Sequence, residues 1–211
     1  MRANSVLGVI QISLPPRGGI PEALKLLESH QGWLAAQVAK WPQPRPIRPG
    51  ATIPFDGEDL RIDWHPAHKR TPIRRDDSLC IGGPEALLAS RVLRWLQAEA
   101  LADVTSATRR IAALVDREVA QVRVGDPRGR WGSCAAPKPG EAARIAYSWR
   151  LILAPALVRD NVVAHEVAHL VHHNHSAAFH ALHHSLDANT AVTKRWLARH
   201  GAGLHWVGRA P

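Results

Sequence analysis

The sequence predicts an α+β fold, with short strands concentrated in the first third and helices in the remainder. Three observations point there. Residues 52–81 hold several short apolar runs, and Leu60-Arg61-Ile62-Asp63-Trp64 alternates as a half-buried strand does. Residues 84–100, 106–119 and 156–173 carry apolar side chains at helical spacing. No stretch of 18 apolar residues occurs, so strands followed by helices read as packed layers without a membrane span.

Taken along the chain, residues 6–14 are apolar enough for a strand. Residues 21–41 have helical spacing through Ala23, Leu26, Leu27, Trp33, Leu34 and Val38, and the proline-rich stretch 42–49 reads as a connector. The strands of 52–81 come next, then two amphipathic helices at 84–100 and 106–119. Residues 122–124 and 144–147 read as two adjacent short strands separated by a loop rich in glycine and proline. An apolar run over 151–155 ends in Pro155, suited to a first helical position. From there 156–173 runs as one helix with Val158, Val162, Leu170 and Val171 available for burial. No internal repeat interrupts this order. The chain reads as a single domain, 1–211, strand-rich over 1–81 and helix-rich over 82–211. At 211 residues and 45% hydrophobic content it can bury one substantial core.

Two cysteines, Cys80 and Cys134, are too few for a disulfide scaffold, and the N-terminus lacks a charged segment followed by a long apolar one. A soluble, cytoplasmic protein is expected. The net charge of +9 invites a nucleic-acid reading, with Arg45, Arg48, Arg61, Lys69, Arg70, Arg74 and Arg75 in one region. Asp56, Glu58, Asp59, Asp63, Asp76 and Asp77 interleave with them, so no pure basic stripe forms and nucleic acid is the weaker expectation for a partner.

The chemistry lies in His165-Glu166-Val167-Ala168-His169. On a helix, residues four apart share a face, so both imidazoles can reach one ion. Glu166, one step round, can touch a metal-bound water instead of the metal. In this H-E-x-x-H pattern zinc lowers the pKa of the water and the glutamate takes its proton. A third ligand is needed, and eight of the 13 histidines lie between His165 and His184. His173 is about 12 Å along the axis from His165, too far for bonds of about 2.0–2.1 Å. The third ligand therefore follows the end of the helix. Asn174 tolerates the left-handed conformation that stops helices and Ser176 is a favoured N-cap, which leaves His175 in the turn between two helices. His180, His183 and His184 form a second cluster that can line the pocket or substitute as ligand, while His172, His173, His183 and His184 read as solvated surface residues if they do neither.

A histidine ten residues after the first resembles the metzincin arrangement. Two departures exclude that clan: His172 stands where its glycine belongs, and the only methionine is Met1, so no Met-turn exists. A different resemblance runs further. Arg130-Trp131-Gly132-Ser133-Cys134, Arg144 through Leu151, Pro155, Val162 through Leu170, Asn174-His175-Ser176 and Phe179 together look like the bacterial YgjP-like metallopeptidase family, which is related to the SprT-like proteases. The likeness is specific over residues 123–181 and weaker toward both ends. It implies His165, His169 and His175 as metal ligands for one Zn2+ per chain and Glu166 as the catalytic glutamate. His180 stands where tryptophan often follows the phenylalanine, and Val167 where leucine is usual; neither touches a ligand.

Trp131 and Gly132 can wall a substrate groove, the glycine allowing close approach, or can belong to a tight structural loop with a core tryptophan. Tyr147, the only tyrosine, is a candidate donor to a developing oxyanion, as are Arg130 and His180. Cys134 stays outside the ligand set as a small buried side chain. The favoured function is a zinc-dependent metallopeptidase acting on a peptide or protein. Second comes a metal-dependent nucleotide pyrophosphohydrolase, an activity ascribed to members of the resembling family. It is disfavoured by the lack of a glycine-rich phosphate loop or a carboxylate cluster for magnesium. A non-enzymatic zinc or nucleic-acid-binding module is third, and leaves Glu166 without a purpose.

Overall fold

The computed structural model describes residues 1–16, 18–135 and 143–210. Among them the fold is α+β, with six α-helices and three small sheets. Part of the glycine- and proline-rich loop expected between the strands at 122–124 and 144–147, namely 136–142, lies outside the described residues.

The N-terminal strand expected over 6–14 is a small antiparallel hairpin, β1 (Arg2–Asn4) against β2 (Val9–Gln11). The helix expected over 21–41 is two, α1 (Ile20–Ser29) and α2 (Gln31–Val38), broken at His30, whose φ of −120° and ψ of 20° leave the helical region. Neither helix buries a residue. The strands expected in 52–81 are β3 (Thr52–Phe55), β4 (Glu58–Trp64), β5 (Ile73–Arg75) and β6 (Ser78–Ile81), in the order β3-β4-β6-β5. The alternation of β4 works as read: Leu60 and Ile62 are buried, while Arg61 is exposed between them.

The pair of helices expected at 84–100 and 106–119 is a single 26-residue helix, α3 (Leu88–Ala113). No glycine or proline interrupts it, and one apolar stripe, Leu88, Val92, Leu96, Ala100, Val104, Ala107 and Ile111, runs its whole length. That stripe joins two cores. Its first half packs with the β3–β6 sheet, Trp149, Ile152 and Leu153; its second half packs with Ile145, Tyr147, Leu151, Val163 and Val167.

The catalytic half has its own sheet, β7 (Val119–Gly125), β8 (Gly132–Ala135) and β9 (Ala143–Ser148), in the order β7-β9-β8. β7 and β9 are adjacent, as expected. The Trp-Gly-Ser-Cys segment is not simply loop: Gly132 onward is the edge strand β8, antiparallel to β9. After a buried 3-10 turn over Trp149–Leu153 comes α4 (Ala156–Ala168), then α5 (Ala177–Leu186) and α6 (Thr190–Leu204), the last of which the sequence reading left unassigned. α4 ends five residues earlier than expected, so the His-Glu-x-x-His run occupies its last turn instead of its middle.

Two buried arginines lock these elements. Arg159 of α4 donates to Asp56 at 3.0 Å and to Asp103 of α3 at 3.2 Å. Arg150 forks onto Asp126 at 2.7 and 3.2 Å and donates to the Leu204 carbonyl at 2.6 Å, satisfying an open end of α6.

Candidate metal centre and active-site cleft

α4 presents His165 and His169 one turn apart, and the chain then turns back so that His175, just before Ser176, faces both. Ser176 caps α5 by accepting from the Phe179 amide at 3.3 Å, the N-cap chemistry expected of it. His165 Nε2 and His175 Nε2 stand 3.2 Å apart, and one donor atom from each of the three rings falls within 4.8 Å of the others. Two zinc-bound nitrogens at a tetrahedral angle are separated by about 3.3 Å. The His165–His175 spacing already matches that figure, and the donor set fits zinc.

The rings are held from behind. Phe179, with no exposed surface, lies under all three, its centroid 5.0, 4.4 and 4.8 Å from those of His165, His169 and His175. His169 Nδ1 lies 3.0 Å from the His172 carbonyl, which fixes the proton on that nitrogen and leaves Nε2 for a ligand bond. Burial, then the neighbouring imidazoles, pushes His165 down to about 4, and burial also lowers His169, so both are neutral, the form that binds metal.

Glu166, one residue round α4 from His165, lies against β8. A Cβ on Gly132 would lie 2.5 Å from Glu166 Oε1, so only glycine lets the carboxylate lie against this strand. The close approach for which Gly132 is needed is that of Glu166. The Cys134 amide donates to the carboxylate; burial pushes Glu166 up to about 7, opposed by that bond and by the charge of Arg130.

Beside His165 and Glu166 opens a cleft of about 270 Å³. Arg130, Trp131 and Gly132 form one wall, Asn161, Val162 and His183 the floor, and Thr190, Thr193, Lys194 and Leu197 of α6 the other wall. The α6 positions follow i, i+3, i+4, i+7 spacing, one helical face. Trp131 reaches α6 at Gly201, where an added Cβ would sit 2.9 Å from the indole, and its ring lies 5.3 Å from that of His205.

Of the residues singled out by sequence, the structure brings together His165, His169, His175, Glu166, Arg130 and Trp131. Tyr147, although paired with Gly132 across the sheet, does not line the cleft: it is 1% exposed and its hydroxyl pairs with Thr108 at 3.0 Å. The strand that carries it, β9, is the central one, flanked on both edges, so it offers no edge to a substrate. His180 is exposed beside His175, at 6.2 Å between ring centroids, and does not line the cleft. His183, expected to be solvated unless it lined the pocket, is 4% exposed, and its Nε2 lies 3.2 Å from the Asn161 carbonyl; burial lowers its pKa. Sequence reasoning missed the α6 wall, although the spacing of Thr190, Thr193, Lys194 and Leu197 was there to be found.

The family model of the YgjP-like metallopeptidase domain matches residues 3–200. The chain belongs to that family. The match covers nearly the whole sequence, the hairpin and α1 included, so the YgjP-like unit is not confined to the histidine-rich helices. No curated protein matches the chain, and no solved structure does either. Membership in the YgjP-like family implies a metallopeptidase-type function, and three histidines stand where a metal ion can be held. No helix among the described residues is long and apolar enough to cross a membrane.

Proposed function

We propose that this YgjP-like protein is a zinc-dependent peptidase in which His165, His169 and His175 hold the ion and Glu166 is the general base. The observation that carries this reading is the convergence of three imidazole donors within 4.8 Å, with a buried carboxylate one residue along the same helix. Zinc bound there supplies a Lewis acid that lowers the pKa of a water and polarises the scissile carbonyl.

The chain's own residues do the rest. Glu166, held by the Cys134 amide against Gly132, takes the proton of the attacking water and returns it to the leaving amine. β8 is an edge strand: Trp131 bonds inward through its carbonyl to the Ser148 amide, so Gly132 turns its main-chain groups outward, as does Cys134, whose amide is already taken by Glu166. An extended peptide lying along that edge crosses the cleft mouth and brings a carbonyl to Glu166. Arg130, at the wall, is the donor positioned to steady the developing oxyanion; Tyr147, tied to Thr108 in the core, and His180, outside the cleft, are not.

The phosphohydrolase reading ranks below, because Glu166 is the only carboxylate among the residues lining the cleft and no second one is there to help hold magnesium. One experiment decides. The purified protein, assayed for metal, should contain about one zinc per chain. It should cleave members of a peptide library and not nucleoside triphosphates, with cleavage abolished by chelator and restored by zinc. Triphosphate hydrolysis without peptide cleavage would transfer the same site to the second reading.

A further inference from the structure

The cleft beside His165 and Glu166 has an unbalanced charge. Its apolar surface comes from Trp131, Val162 and Leu197, suited to the methylene stem of a side chain. Glu166 contributes the only carboxylate among the lining residues, whereas Arg130 and Lys194 contribute two cations from opposite walls. Lys194 is exposed and has neither an ion pair nor a hydrogen bond among the described residues, so its ammonium is free to meet an incoming anion. Arg130 is within electrostatic range of Glu166, so its charge too is felt inside the cleft.

We infer that the cleft selects a glutamate side chain beside the scissile bond, with Lys194 reading its carboxylate in the positive field to which Arg130 adds, and that it disfavours lysine and arginine there. This rests on the peptidase reading of the same site. The apolar walls require a stem long enough to carry the carboxylate past them, which favours glutamate over aspartate. Lys194 is the specificity-determining residue because Arg130 is also engaged with the general base. A basic substrate side chain would face two like charges with no acidic partner other than the group that performs the chemistry, an arrangement that rejects it by repulsion.

Binding tests this separately from turnover. The zinc-loaded protein and its Lys194→Ala and Lys194→Glu variants are titrated calorimetrically with the N-acetyl hydroxamates of glutamate, glutamine and lysine. Lys194 is exposed, so both variants keep the fold. The unmodified protein should bind the glutamate probe about five- to tenfold tighter than the glutamine probe, with lysine weakest. Lys194→Ala should narrow that gap, and Lys194→Glu should make lysine the preferred probe. Equal affinities for glutamate and glutamine, no binding of any probe, or a preference unchanged in Lys194→Glu would overturn the inference. Peptide hydrolysis is followed on the same samples. A Lys194-dependent preference with no peptide cleavage would sustain the selectivity and sink the peptidase reading instead.

Discussion

α4 and the α1–α2 pair are all helices with apolar residues at helical spacing, yet they end in opposite places. Nine of the thirteen residues of α4 are buried, and the site's His165 and Glu166 ride on it. α1 and α2 bury none: Ile20 is 75% and Leu24 53% exposed, and the pair leans chiefly on itself and on β1. Periodicity establishes that a helix has an apolar face; what that face meets is decided by the rest of the chain. α4 finds α3, α6 and β8 around it, and those neighbours turn a short sequence motif into a fixed constellation.

Four substitutions sharpen or break this contrast, from the largest expected effect to the smallest. Glu166→Gln removes the base and should lower kcat by about 10²–10⁴ while metal analysis still finds zinc; unaltered turnover would remove Glu166 from the mechanism. Gly132→Ala forces a Cβ into the Glu166 carboxylate and should lower kcat about a hundredfold, with zinc content and thermal midpoint nearly unchanged. A variant with full activity would show that the carboxylate can work from another position. Val163→Ala, fully buried on α4, should lower unfolding free energy by about 1–3 kcal/mol in a denaturant titration. Leu24→Ala on α1 should change it by less than about 0.5 kcal/mol. Equal losses from the last two would mean that α1 is covered in solution and that the two regions are alike after all.

Much of this was legible in the sequence. The His-Glu-x-x-His run and the Ser176 cap are local signals, and each acts over a few residues. The order of elements in the middle of the chain follows from alternation and spacing for the same reason. Asn174, expected to stop the helix in a left-handed conformation, has no positive φ, and α4 has already ended at Ala168. What escaped was decided at long range. The sequence reads as two helices parted at residues 101–105, but Ala100 and Val104 are both fully buried by partners far off in sequence, so α3 continues. Gly132 and Cys134 read as loop because strand β8 is only four residues long and is defined by its pairing with β9. Tyr147 drew notice as the lone tyrosine, but nothing local reveals that Thr108 will receive its hydroxyl. His183 looked like one more polar histidine until the Asn161 carbonyl and the α6 wall enclosed it.

α3 has one more consequence. Because the same uninterrupted rod supplies residues to both cores, neither half can melt while the other keeps its full complement of packing. A lesion in the β3–β6 sheet, which supplies no residue to the three-histidine centre or the cleft beside it, is therefore transmitted as lost cohesion beneath β9 and α4. Selection for catalysis must act on the strand-rich half as well, even though that half contributes no atom to the chemistry.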